Sequence, residues 1–94
     1  MMEIANTPAA PELREIRLKR LRLRSWRRGT REMDLILGRF ADARLEAMSE
    51  NALDAYEALL EEPDWDIYYW VTGARETPAP HAALVGEIAA FFGG

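Results

Sequence analysis

The chain has 94 residues, of which 49% are hydrophobic and 30% charged, a net charge of -4 and no cysteine. It is long enough for one small domain with a compact core and too apolar for intrinsic disorder. A disulfide framework, a thiolate nucleophile and a cysteine-based zinc site are excluded, and no apolar run approaches the roughly 20 residues of a membrane-spanning helix.

The charge is unevenly placed. Nine of the twelve basic residues lie between positions 14 and 31, and after Arg44 only Arg75 stands against many carboxylates. A cationic end and an acidic end are therefore expected, a layout that favours a partner of complementary potential and disfavours contact between like surfaces. A monomer is expected.

Residues 1–10 lack periodicity and are expected to form a flexible tail, with residues 11–94 as the single domain. Glu3, Glu12 and Glu15 argue against an arginine-rich transit peptide, and no secretory core is present, so a cytoplasmic protein is expected. Pro11 suits a first helical turn, with Glu12 and Glu15 favourable to the helix dipole. Leu13, Ile16, Leu18, Leu21, Leu23 and Trp26 spread around the wheel and partly alternate as in a strand, yet no other segment offers a strand partner. A first helix is expected.

Gly29 suits a positive φ after that helix, and Thr30 suits the N-cap of the next. Met33, Ile36, Leu37 and Phe40 recur at i, i+3, i+4 and i+7, so a second helix is expected to run through Leu45 towards Met48. Gly38 within it costs about 1 kcal/mol relative to alanine and implies a closely packed neighbour. Ser49 reads as the N-cap of a third helix carrying Leu53, Tyr56, Leu59 and Leu60, which Pro63 ends. Asp64 is expected to cap a fourth helix from Trp65 to Thr72, heavily buried and closed by Gly73. After the connector Thr77, Pro78 and Pro80, a fifth helix puts Leu84, Val85, Ile88, Phe91 and Phe92 on one face. Short connections between such helices predict an all-α bundle of about five helices.

No nucleotide-binding, P-loop, zinc-protease or nucleophile-elbow motif is present. His81, the only histidine, reads as an exposed helical residue, and Glu57, Glu61 and Glu62 read as a solvated face. A binding role is favoured over an enzyme. The arginine-rich segment also invites nucleic-acid binding, with Trp26 stacking on a base, but the acidic remainder of the domain repels a polyanion. Arginine stems covering core leucines, and docking on a protein, are the preferred reading. At Arg28-Gly29 the guanidinium is expected to stand at the apex of a turn and reach a partner carboxylate, with Glu32 on the same side. Trp65, Tyr68, Tyr69 and Trp70 are expected in the core, with one or two left as exposed anchors.

Arg28-Gly29-Thr30-Arg31-Glu32 matches the RGxxE motif of the SdhE family, whose mitochondrial members are succinate dehydrogenase assembly factors, and Asp34 matches a further acidic position. The similarity continues through Leu37-Gly38-Arg39-Phe40, Leu60 to Trp70 with its Pro63-Asp64-Trp65-Asp66-Ile67-Tyr68-Tyr69-Trp70, and Pro78-Ala79-Pro80, covering residues 14–92. The chain most resembles alphaproteobacterial and mitochondrial members. This resemblance implies a five-helix assembly factor that binds the flavoprotein subunit of succinate dehydrogenase, or of fumarate reductase, and promotes attachment of FAD to a histidine of that subunit. Arg28, Gly29, Arg31, Glu32 and Asp34 would be the partner-binding residues. FAD would be carried by the partner and not held tightly by this chain, and no nucleic acid, metal or membrane would be needed. Antitoxin-like or regulatory protein binding, also suggested for relatives, is the alternative.

Overall fold

A computed structural model describes residues 12–93. Five helices follow one another: α1 (Arg14–Trp26), α2 (Arg31–Arg44), α3 (Glu50–Leu60), α4 (Asp64–Thr72) and α5 (Ala79–Phe91), with a short 3-10 turn, Leu45–Ala47, after α2. The fold is all-α, as the periodicities predict. Residues 1–10, expected as a tail, and Pro11 lie outside the described residues.

Local signals set most boundaries. The Thr30 side chain accepts from the Met33 amide and that of Ser49 from the Ala52 amide, so both act as N-caps. Gly73 closes α4 with φ +83°. Two boundaries differ from expectation. Helix α2 tightens into the 3-10 turn at Leu45 instead of continuing towards Met48, and the N-cap of α4 is Pro63, with Asp64 already helical. The Asp64 carboxylate is engaged elsewhere, as described below.

The core takes Leu18 and Leu21 from α1, and Met33, Leu37, Phe40 and Ala41 from α2. Leu45 joins Leu53, Tyr56, Leu59 and Leu60 of α3, and Ile67, Leu84, Val85 and Ile88 complete it. Gly38 allows α1 and α2 to meet: a Cβ there would lie 2.3–2.6 Å from the Trp26 ring, so the indole sits directly on the α2 backbone. Its Nε1 donates to Asp42 at 3.2 Å.

Helix α4 departs from the heavy burial expected of it. Only Ile67 is fully buried; Tyr68, Tyr69 and Trp70 are half-buried and Trp65 is 54% exposed. Ile67 alone sits on the line that enters the core, while Tyr68, Trp70 and Val71 pack against its edge with part of each side chain in water. Trp65 and Tyr68 meet edge to face with centroids 5.6 Å apart. On α5, Leu84, Val85 and Ile88 face inward as expected, whereas Phe92 falls just past the helix and is exposed.

The expected separation into a basic and an acidic end is also corrected. Helices α1 and α3 lie side by side, so that Arg14 meets Glu50, Arg17 meets Asp54, Arg20 meets Glu57 and Arg24 meets Glu61. The numbers rise together along both helices, which makes the pair parallel. Carboxylates spaced i, i+4, i+7 and i+11 on α3 form one stripe, and four α1 arginines lie along it. Glu57, read as solvated, accepts from both Arg17 and Arg20, and those bonds hold its carboxyl below the usual range.

Candidate functional site

The turn between α1 and α2 is built from the backbone outward. Helix α1 stops at Arg27, whose amide still reaches the Arg24 carbonyl at 3.3 Å. The chain reverses through Gly29 at φ +106°, a conformation that residues with a Cβ rarely adopt. Thr30 returns to extended geometry and starts α2. Asp34, one turn into α2, reaches back and accepts from the Arg28 amide at 2.6 Å. The turn is thereby fastened from both ends.

The Arg28 guanidinium does not stand out towards solvent as expected. Nε donates to Asp64 Oδ1 at 2.6 Å, Nη1 to the Leu60 carbonyl at 2.7 Å and Nη2 to the Glu62 carbonyl at 2.9 Å. Its side chain is 11% exposed and that of Asp64 19%. The physical reason lies at the end of α3, where the final carbonyls have no intrahelical donor and the helix dipole favours a cation. Asp64 at the first turn of α4 supplies the counter-charge. One planar, forked cation thus joins the α1–α2 turn to the α3–α4 turn.

A second pair reinforces the same place. His81, expected to be exposed, is buried in the first turn of α5, stacks on Trp70 with centroids 5.6 Å apart, and pairs through Nε2 with Glu62 Oε2 at 2.9 Å. Glu62, also read as solvated, uses its carbonyl for Arg28 and its carboxylate for His81. These contacts connect residues far apart in sequence, so periodicity gives no sign of them. Among the described residues Ser25 and Tyr56 are also internal: the Tyr56 hydroxyl lies 2.6 Å from the Ser25 hydroxyl and donates to the Leu37 carbonyl at 3.4 Å. Burial pushes its ionisation up to about 12.

The five residues singled out at this turn therefore divide in two. Arg28 and Asp34 are committed to holding it, while Gly29, Arg31 and Glu32 are exposed on its outer side. Arg31 and Glu32 form no side-chain hydrogen bond or ion pair among the described residues. Nothing lies within 4 Å of the position a Gly29 Cβ would take, so the backbone there is open to another molecule. Beside it runs a cleft of about 480 Å³ lined by Leu23, Arg24, Arg27, Arg28 and the segment 62–64. Among the described residues no cluster of three or more histidines, aspartates and glutamates could hold a metal ion, and no helix is long and apolar enough to cross a membrane.

Comparison with known proteins adds a family. A family model described as flavinator of succinate dehydrogenase matches residues 19–92. Among curated proteins, the mitochondrial succinate dehydrogenase assembly factor 2 of Meyerozyma guilliermondii is 46% identical over 88 residues, 93% of this chain and 65% of that protein. The protein of the same name from Scheffersomyces stipitis is 50% identical over 70 residues, 73% of this chain and 47% of that protein. Its Candida glabrata counterpart is 52% identical over 73 residues, 74% of this chain and 48% of that protein. The chain thus spans between about half and two thirds of the length of these relatives.

Proposed function

This chain belongs to the family of flavinators of succinate dehydrogenase, and on that premise we propose that it docks on the flavoprotein subunit of the enzyme and promotes covalent attachment of FAD to a histidine there. Its part is that of an assembly factor with no catalytic group of its own. FAD and the histidine that receives it belong to the client, in succinate dehydrogenase or the related fumarate reductase. The chain acts as a monomer in the bacterial cytoplasm, the counterpart of the mitochondrial setting in the relatives' names.

The observation that carries this reading is the inward clamp of Arg28. With its guanidinium held by Asp64 and the carbonyls of Leu60 and Glu62, the turn is rigid, and Gly29, Arg31 and Glu32 form a preorganised edge. Binding through such an edge loses little conformational entropy. Arg31 and Glu32 supply one charge of each sign to a partner, and Gly29 admits a partner backbone. A flavoprotein held in a conformation that aligns its histidine with the flavin gains a proximity advantage, which can amount to several kcal/mol of barrier.

The nucleic-acid alternative requires a free cationic strip on α1. Arg14, Arg17, Arg20 and Arg24 are instead paired with α3 carboxylates, which weakens it. The deciding test is flavin fluorescence in a denaturing gel of the flavoprotein, made in cells with this chain, without it, or with Glu32→Arg. Loss of the fluorescent band in the last two supports the proposal. A band of unchanged strength without the chain would sink it.

A further inference from the structure

Helix α1 has three unlike faces. One carries the arginines neutralised by α3, and its neighbour carries Leu18, Leu21 and Ser25 into the core. The third points away from the bundle. Of the six large hydrophobic residues exposed among the described residues, three belong to this side of α1 or its N-cap: Leu13, Ile16 and Leu23, at 65%, 52% and 50% exposure, while Trp26 lies against Gly38 of α2. Ile16 and Leu23 are two turns apart on one line, roughly 10 Å along the axis. Lys19 and Arg27 flank them and form no ion pair among the described residues.

An apolar line edged by free cations is unusual on a chain whose net charge is -4, and exposed apolar clusters rimmed by polar groups mark interaction sites. The charge selects the occupant. Two cations are too few to hold an anionic bilayer or a nucleic acid, each of which is bound through a cluster of many, on a chain of net charge -4. A second copy would bring Lys19 and Arg27 against their own equivalents, an arrangement that like charges oppose. Leu23 and Arg27 also line the cleft beside Arg28, so the face runs on without a break into the edge at Gly29.

We infer that the outward face of α1, from Ile16 to Arg27, is a docking surface for a protein segment that presents apolar side chains bordered by carboxylates. The inference rests on the proposed function in taking that segment from the same flavoprotein client. Contact at Gly29, Arg31 and Glu32 fixes orientation, and α1 adds apolar area with steering by Lys19 and Arg27.

The test is binding of the full chain to the purified succinate dehydrogenase flavoprotein by calorimetry at two salt concentrations. Variants are Ile16→Glu with Leu23→Glu, Lys19→Glu with Arg27→Glu, and Gly29→Arg, each checked by circular dichroism for retained helix. A loss of affinity of at least about tenfold in the apolar pair, and a smaller loss with little remaining salt dependence in the charge pair, is the expected result. Full binding by both α1 variants, with loss only in Gly29→Arg, would overturn this inference and leave the proposed function standing. No binding by the unaltered chain would overturn both. Sedimentation showing an α1-dependent dimer, or capture by phosphatidylserine vesicles that Ile16→Glu abolishes, would name a different occupant and overturn the inference alone.

Discussion

Arg28 and Asp64, 36 positions apart, form an ion pair of 2.6 Å between the α1–α2 turn and the first residue of α4, with both side chains mostly removed from water. The same guanidinium satisfies the carbonyls of Leu60 and Glu62. Arg28→Ala leaves a partly buried carboxylate and two carbonyls without a donor, and should destabilise the fold by about 2–4 kcal/mol. Arg28→Lys keeps the charge but not the fork and should recover less than half of that. Urea denaturation of the three proteins measures both values.

Gly29 separates a conformational requirement from a contact. Its φ is +106° and its surroundings are open, so Gly29→Ala and Gly29→Arg should cost the same, about 1–2 kcal/mol. Docking should differ, because only the larger side chain obstructs a partner. Similar melting curves with flavinylation retained in Gly29→Ala and absent in Gly29→Arg is the expected outcome. Equal activity of the two would remove the docking role of this backbone.

Gly38 has no such freedom. A methyl group there would enter the Trp26 ring at 2.3–2.6 Å, so Gly38→Ala must expel the indole or part α1 from α2. Overpacking of this kind costs about 1–3 kcal/mol, against a gain of about 1 kcal/mol in helix propensity. Net destabilisation, with an altered near-ultraviolet circular dichroism band from the displaced tryptophan, is predicted. A stabilised Gly38→Ala protein would contradict the packing described.

The α1–α3 arginine ladder gives the acid limb of the stability curve. Arg20, and secondarily Arg17, hold the Glu57 carboxyl below its ordinary value of 4.5. A carboxylate more acidic when folded contributes stability that is present above pH 4.5 and is lost as pH falls through the folded value. Glu57→Gln should flatten stability across that window and leave its slope near neutrality unchanged. Melting temperatures from pH 3 to 7 provide the comparison.

Tyr56 governs the alkaline limb. Burial raises its ionisation from 10 to about 12, so above pH 10 the unfolded chain loses a proton that the folded chain keeps. Stability should fall as pH rises from 10 towards 12. Tyr56→Phe should abolish that part of the fall and cost about 1 kcal/mol at pH 7 through the lost hydroxyl contacts. Ser25 still donates to the Leu21 carbonyl at 2.7 Å, so no buried donor is left unmatched.

The helices, their caps at Thr30 and Ser49, the reversal at Gly29 and the close approach at Gly38 were legible in the sequence, because each depends on neighbours within one or two turns. The motif at Arg28–Glu32 and the aromatic run at 65–70 also identified the family. What the sequence could not contain was the pairing of distant charges. Read along the chain, the arginines of α1 and the carboxylates of α3 are two blocks of opposite sign, and Arg28 and His81 are polar residues near solvent. Only when α3 lies parallel to α1, and the α3–α4 turn arrives beside Arg28, do four arginines find carboxylates, Arg28 turn inward and His81 close on Glu62 and Trp70. Helix periodicity is a local property fixed by backbone geometry, whereas the partner of a long cation is chosen by whichever acceptors the packed helices bring within its reach.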